Sequence, residues 1–362
     1  MKKYVLVINP GSTSTKVAIF KNEENLFQTN LSHSPEELDR FEKIADQYDL
    51  RKDIILKWLE EKGISTDDLI AVVGRGGLLR SMPGGTYKVT SPMIQDLKVG
   101  VQGEHASNLG GIIARAIADR ADAEAYIVDP VAVDEFQDIA RISGMPEIER
   151  RSLGLALNIK AVGHRTALDM NKKFHEVNLI VAHLGGGISV APVNKGRILD
   201  YNNANEMGPF SPERTGGLPV GDLAGLCFSG KYTFKEIKTK LRGKGGLTAY
   251  LGINDAREVE EMIQAGDEKA KLVYKAMAYQ IGKEIGSMST VLGGQIDAVV
   301  LTGGLAHSEM LTKDIKAMTE FIAPVVIHPG EDEMQALNEG VLRVQKGEET
   351  PKIYEKEVEI HD

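Results

Sequence analysis

The sequence predicts an α/β protein built from two related halves, and three observations carry that prediction. Two glycine-rich loops, each flanked on both sides by β-type residues, lie about 175 residues apart in a chain of 362. Apolar strands alternate with amphipathic helices along both halves, the pattern of an α/β protein. The length also exceeds what one hydrophobic core ordinarily serves, so two domains are expected.

The first loop lies in Val5-Leu6-Val7-Ile8-Asn9-Pro10-Gly11-Ser12-Thr13-Ser14-Thr15-Lys16-Val17-Ala18-Ile19-Phe20. The second lies in Leu179-Ile180-Val181-Ala182-His183-Leu184-Gly185-Gly186-Gly187-Ile188-Ser189-Val190-Ala191. A strand–loop–strand hairpin of this kind presents backbone N–H groups and hydroxyls in a tight curve that suits phosphate oxygens. Two such hairpins would grip a polyphosphate from both sides, which points to nucleotide chemistry. The first is not a P-loop: the second glycine before Lys16 is missing, and a strand rather than a helix follows it.

Between the hairpins, helices are expected at residues 53–62 and 106–121, and strands at 70–74 and 125–128. The second half repeats the theme, with helices near 222–228, 233–241, 268–292 and 334–345 and a buried strand at 297–301. The charged tail from Lys346 is expected to be loose or to dock as a last strand. Residues 1–150 form one expected lobe and 151–330 a second. Residues 331–362 are read as a helix and tail that pack back on the first lobe. No Pro/Ser-rich linker separates the halves, so a hinged two-lobed body is expected.

Composition excludes several partner classes. Apolar content is 42%, charged content 26% and net charge −9, from 43 basic and 52 acidic residues. No basic excess marks a nucleic-acid or anionic-membrane partner. No apolar run reaches membrane-spanning length, and the chain is read as cytoplasmic. The lone Cys227 rules out an internal disulfide, and its apolar setting predicts a buried structural thiol. With one cysteine and no paired histidine spacing, a zinc site is not expected.

Candidate site residues cluster at the glycine stations. Arg75, in Val72-Val73-Gly74-Arg75-Gly76-Gly77, and Arg214, in Pro212-Glu213-Arg214-Thr215-Gly216-Gly217, have small neighbours that leave a guanidinium reachable. Arginine suits bidentate clamping of an oxyanion, although a solvated surface role is the alternative. Asp129 ends an apolar strand before Pro130, where a carboxylate can organise Mg²⁺ or simply form a turn. Thr302-Gly303-Gly304 follows a buried strand, and a glycine pair there lets a base or ribose approach the backbone. His105 and His183 lie beside small-residue segments and are the functional candidates among the histidines.

These segments together resemble the butyrate kinases of the acetate kinase (acetokinase) family, within the actin-like ATPase superfamily. The resemblance spans nearly the whole chain. It is carried by Asn9-Pro10-Gly11-Ser12-Thr13-Ser14-Thr15-Lys16, Gly74-Arg75-Gly76-Gly77, Gly103-Glu104-His105-Ala106-Ser107-Asn108, Val128-Asp129-Pro130-Val131, His183-Leu184-Gly185-Gly186-Gly187, Gly208-Pro209-Phe210-Ser211-Pro212-Glu213-Arg214, Asn254-Asp255-Ala256-Arg257 and Leu301-Thr302-Gly303-Gly304-Leu305-Ala306. It implies a duplicated, ribonuclease H-like fold with a nucleotide cleft between the lobes. It also implies reversible phosphoryl transfer between ATP and a short-chain carboxylate, giving ADP and an acyl phosphate, in a homodimer or larger homo-oligomer.

By that resemblance Asn9 and Lys16 meet the transferring phosphate and its Mg²⁺, with Gly11, Ser12, Thr13 and Ser14 forming the phosphate loop. Arg75 positions the carboxylate, with His105, Gly154 and Leu155 on the substrate side. Asp129 organises the metal and Arg214 stabilises the transition state. His183, Gly185, Gly186, Gly187, Asp255, Arg257, Thr302, Gly303 and Gly304 hold the nucleotide.

One segment departs from the family pattern. Where the family reads Ser-x-Phe-His-Ala-Leu-Asn, this chain reads Ser152-Leu153-Gly154-Leu155-Ala156-Leu157-Asn158. Leu155 replaces a histidine that helps stabilise the transferring phosphate, and Gly154 replaces an aromatic wall of the acyl pocket. Two expectations follow: a weak or silent paralogue, or a pocket that Gly154 enlarges for a longer or branched acid.

Overall fold

The structure, a computed structural model, describes residues 2–358. The chain divides into two compact units: residues up to Asp134 with 156–158 and those from Asp332 onward, and residues 135–155 with 159–331. The first unit ends at Asp134 rather than at residue 150. Residues 135–155 are tied into the second unit by Gln137 N–H to the Leu199 carbonyl (3.1 Å) and by Arg150, whose fork grips Asp200 at 2.7 and 3.1 Å.

The first unit is built on a seven-stranded sheet. Its strands β1 (Tyr4–Pro10) and β2 (Ser14–Lys21) form an antiparallel hairpin, and β3 (Glu24–Ser32) extends it at the edge. On the other side β1 pairs in parallel with β4 (Leu69–Arg75), which pairs in parallel with β6 (Glu124–Val128). The short β5 (Thr86–Lys88) runs antiparallel to β6. Parallel strands are covered on both faces, so they read as unbroken apolar runs: Val5, Leu6, Val7 and Ile8 are all buried, as are Ala71, Val72 and Val73.

Two helices of this unit matter for the site. Helix Tyr48–Glu61 starts five residues earlier than the apolar pattern suggests and buries Ile55, Trp58 and Leu59 together with Arg51. Helix Asn108–Ala121 crosses β4 with backbones in contact: a Cβ at Gly74 would lie 2.1 Å from the Gly110 carbonyl oxygen. No side chain larger than hydrogen fits at that crossing.

The C-terminal segment belongs to the same unit. Helix Glu333–Gln345 buries Met334, Leu337 and Val341, and the Thr86 hydroxyl donates to the Gly340 carbonyl at 3.4 Å. The tail docks as a short strand, Lys352–Ile353, parallel to β5, and the Tyr354 hydroxyl donates to Asp96 at 2.7 Å.

The second unit repeats the plan on a five-stranded sheet. Strands β7 (Asn178–Leu184) and β8 (Ile188–Asn194) make the antiparallel hairpin, with β9 (Arg197–Ile198) at the edge. Strand β7 pairs in parallel with β10 (Ala298–Gly303), which pairs in parallel with β11 (Val325–Pro329). The order β2-β1-β4-β6 in one unit is thus matched by β8-β7-β10-β11 in the other. Helix Glu268–Ser289 packs on this sheet through Met277, Ile281 and Ile285, all fully buried. Cys227 corrects an expectation: it is exposed, because helix Val220–Cys227 buries none of its apolar residues.

Candidate active site

In the first unit the turn Gly11–Thr13 closes the β1–β2 hairpin, with the Gly11 N–H donating to the Ser14 carbonyl at 2.7 Å. Asn9 and Lys16 are direct cross-strand partners, so their side chains share one face of the sheet. Asn9 Nδ2 donates to Glu333 Oε2 at 2.6 Å, and the other oxygen of Glu333 lies 3.5 Å from Arg75 Nε. Arg75, at the carboxyl end of β4, is buried and donates to the Asp129 carbonyl at 3.3 Å.

Asp129 follows β6 in a left-handed conformation, φ +38°, which few non-glycine residues adopt. Its carboxylate accepts the Gly85 N–H at 2.7 Å. Backbone strain of this kind, held by surrounding contacts, is characteristic of functional positions. Asn9, Arg75, Asp129 and Glu333 therefore form one connected polar set at the carboxyl ends of β1, β4 and β6. Ligands of open α/β sheets bind at that edge.

Glu333 is the residue that the sequence did not single out. Within an amphipathic helix it reads as an ordinary first-turn acid that complements the helix dipole. His105 does not join the set: it is exposed, and its Nδ1 is 2.8 Å from the Ser107 hydroxyl.

In the second unit the buried His183 sits on β7 with its Nε2 2.8 Å from Glu331 Oε1. A Cβ at Gly187 would fall 2.3 Å from a terminal nitrogen of Arg214, so the guanidinium lies directly against the hairpin turn. The Ser211 hydroxyl donates to the Gly186 carbonyl at 2.6 Å and accepts the Arg214 N–H at 3.2 Å, fixing that arrangement. Burial, reinforced by the nearby Arg242, pulls the Arg214 pKa below its ordinary value.

At the end of β10, Gly303 has φ +89°, and a Cβ there would meet the Leu184 carbonyl oxygen at 2.4 Å. This brings Gly303 against Leu184, the last residue of β7 before the second glycine turn, while the exposed Gly304 has open space beside it. Thr302 is buried and donates to the Gly330 carbonyl at 3.2 Å. Asp255 caps helix Ala256–Gln264 and grips Arg257 at 2.5 and 3.0 Å, which lowers its carboxyl pKa to about 2. Arg257 is otherwise exposed.

The departure at Gly154 takes a definite form. A Cβ there would lie 2.6 Å from Tyr201 Cζ, so the phenol of Tyr201 occupies the room that a side chain at 154 would need. The Tyr201 and Ser152 hydroxyls are 3.2 Å apart. The ring of Tyr201 therefore takes the space next to residue 154 that an aromatic side chain at that position would otherwise need. Leu155 is half-buried and its carbonyl accepts the Ile159 N–H at the start of helix Ala156–Asp169.

Two α/β units of one strand plan, each closing a glycine-bearing hairpin over its sheet end, define the duplicated actin-like ATPase class of fold. Within that class the chain belongs to the acetokinase family. The model of that family matches residues 157–323. A probable butyrate kinase 2 of Caldanaerobacter subterraneus subsp. tengcongensis is 57% identical over 97% of this chain and 99% of its own length. Butyrate kinase 2 of Clostridium acetobutylicum is 54% identical over 98% of this chain and all of its own. Among solved structures, the acetate kinase of Porphyromonas gingivalis shares the fold with a TM-score of 0.77 at 18% identity, over 94% of this chain and 100% of that one.

Proposed function

We propose that the protein catalyses reversible transfer of the γ-phosphoryl group of ATP to a short-chain carboxylate, butyrate or a branched analogue, giving ADP and an acyl phosphate. The observation that carries the reading is Arg75, a buried guanidinium held between the Glu333 carboxylate and the Asp129 carbonyl at the carboxyl edge of the sheet. The extensive identity to butyrate kinases supports the same chemistry.

A carboxylic acid is ionised near neutral pH, so the nucleophile needs no strong base. One carboxylate oxygen forms the new bond to phosphorus while the bond to the β-bridging oxygen breaks, and ADP leaves with that electron pair. The obstacle is the approach of an anion to a polyanion, with charge spread over the transferred group. Catalysis then rests on positioning and preorganised positive charge. Arg75 orients the acceptor carboxylate, Lys16 and the Gly11–Ser14 turn receive the transferring phosphate, and Arg214 supplies a second cation. Residues 183–187, 255–257 and 302–304 hold the nucleotide.

Mg²⁺ fits the residues present. Among the described residues no cluster of three or more His, Cys, Asp or Glu could cage a metal. A nucleotide-bound Mg²⁺ needs only one or two carboxylates, with phosphates and water completing the shell. Asn9, Asp129 and Glu333 would hold it, and when bound it would neutralise phosphate charge. The enzyme is expected to act as a homodimer or larger homo-oligomer in the cytoplasm.

The test incubates the protein with Mg-ATP and single acids of two to five carbons, and traps acyl phosphate with hydroxylamine. Acid-dependent hydroxamate, greatest with four-carbon acids, is expected. No hydroxamate with any acid overturns the reading.

A further inference from the structure

We infer that Arg51 is a positioning residue that shapes and charges the phosphate-binding turn from behind. The inference rests on the reading above that this turn receives the transferring phosphate. Arg51 projects from helix Tyr48–Glu61 and is 1% exposed. One terminal nitrogen donates to the carbonyls of Gly11 (2.8 Å) and Ser14 (3.1 Å) and to the Thr15 hydroxyl (3.1 Å). The other donates to the Ser12 carbonyl (3.0 Å) and to Gln47 Oε1 (2.8 Å).

Among the described residues no carboxylate forms an ion pair with this guanidinium. An unpaired buried cation is costly, and its burial lowers the Arg51 pKa to about 10. Hydrogen bonds to neutral oxygens satisfy its donors but leave its charge uncompensated.

The orientation of the turn explains what that charge can face. In a planar trans peptide the N–H points opposite to the C=O. The Gly11 carbonyl shares its peptide with the Ser12 N–H, and the Ser12 carbonyl with the Thr13 N–H. Because Arg51 draws both carbonyls toward itself, both N–H groups are turned to the opposite side, where Ser12 and Thr13 are exposed. Neither N–H donates a backbone hydrogen bond among the described residues. The result is an anion-binding concavity of two amides, with the carbonyl dipoles drawn away and a cation behind it in a low-dielectric setting. Lysine would keep the charge but not the fork that reaches three carbonyls at once.

The experiment compares Arg51→Met and Arg51→Lys with wild type, and adds Arg51→Ala with and without millimolar guanidinium. Thermal melts identify variants that fold. Arg51→Met is expected to lower kcat at least 30-fold and to raise KM for Mg-ATP, with KM for the carboxylate changed less than twofold. Arg51→Lys is expected to fall between. Guanidinium is expected to restore activity of Arg51→Ala at least tenfold; if Arg51→Met fails to fold, this rescue decides. Calorimetry provides an arm independent of acyl transfer: Arg51→Met should bind a non-hydrolysable Mg-ATP analogue at least tenfold more weakly, with adenosine unchanged. A folded Arg51→Met with kcat and analogue affinity within threefold of wild type overturns the inference, as does absence of guanidinium rescue. A wild type without acyl transfer overturns the function proposed above, and the calorimetric arm then still decides the role of Arg51.

Discussion

Asn9 and Glu333 stand 324 positions apart in the chain, yet the Asn9 amide donates to the Glu333 carboxylate at 2.6 Å. The same carboxylate approaches Arg75, so one acid fixes two residues of the proposed phosphoryl-transfer site. Glu333→Gln keeps the shape and removes the charge. It is expected to lower kcat by about 10²-fold or more, as removal of a single electrostatic group commonly does. Steady-state kinetics beside a thermal melt within a few degrees of wild type would check it; unchanged kcat would remove Glu333 from the site.

Arg75→Lys separates charge from geometry. Lysine cannot present the planar fork that matches a carboxylate. The KM for the acid is expected to rise at least tenfold while the KM for Mg-ATP stays within a factor of three. A matched rise in both would mean that Arg75 does not act on the acceptor specifically.

Gly154→Ala places a methyl group inside the Tyr201 phenol. Overpacking of this kind costs about 1–3 kcal/mol, and the cost should disappear in a Tyr201→Ala background. Denaturant melts of the two single variants and the double variant measure the coupling. Additive effects would show that the two positions do not compete for one space.

Gly303→Ala meets both a positive φ and a carbonyl oxygen at 2.4 Å. Strain and overlap together predict a loss of at least about 2 kcal/mol in stability, with weakened nucleotide affinity measurable by calorimetry. A variant as stable as wild type would contradict the tight approach of β10 to the second hairpin.

His33 gives the first hairpin a pH dependence. Its Nε2 is 2.8 Å from the Thr15 hydroxyl, and Arg51 and Glu37 are the charged groups that act on it. Burial first, then the Arg51 charge, lowers its pKa below the ordinary 6.5, outweighing the opposing effect of Glu37. The neutral ring's contribution is therefore complete above pH 6.5 and is lost as the pH falls from there toward the lowered value. Melting temperatures of wild type and His33→Gln from pH 5 to 8 should converge on the acid side. A constant difference would refute it.

Much of the fold was legible because its signals are local. Both hairpins, the strands ending at Arg75 and just before Asp129, and the helices at 234–241 and 333–345 follow from apolar period and glycine punctuation. The residues that escaped act across the chain. Glu333 reads as a first-turn acid until β1 brings Asn9 to it. Arg51 had a usable signal, since it lies on the helical stripe of Ile55, Trp58 and Leu59, where a solvated arginine does not belong. Tyr201 could not be read at all, because its partner Gly154 is defined by the absence of a side chain. Cys227 misled because an apolar run implies burial only when something covers it.

The first unit is assembled from both ends of the chain, and this sets an order of events during synthesis. Residues 135–331 must all leave the ribosome before Glu333 can reach Asn9, or before the Lys352–Ile353 strand can join Tyr87 and Lys88. The second unit has its complete sheet available first. The half of the molecule proposed to handle the transferring phosphate is therefore completed only after the other half has been synthesised, so an interrupted polypeptide that stops short of Glu333 leaves Thr86–Lys88 without its outer partner strand and Asn9 without the Glu333 carboxylate.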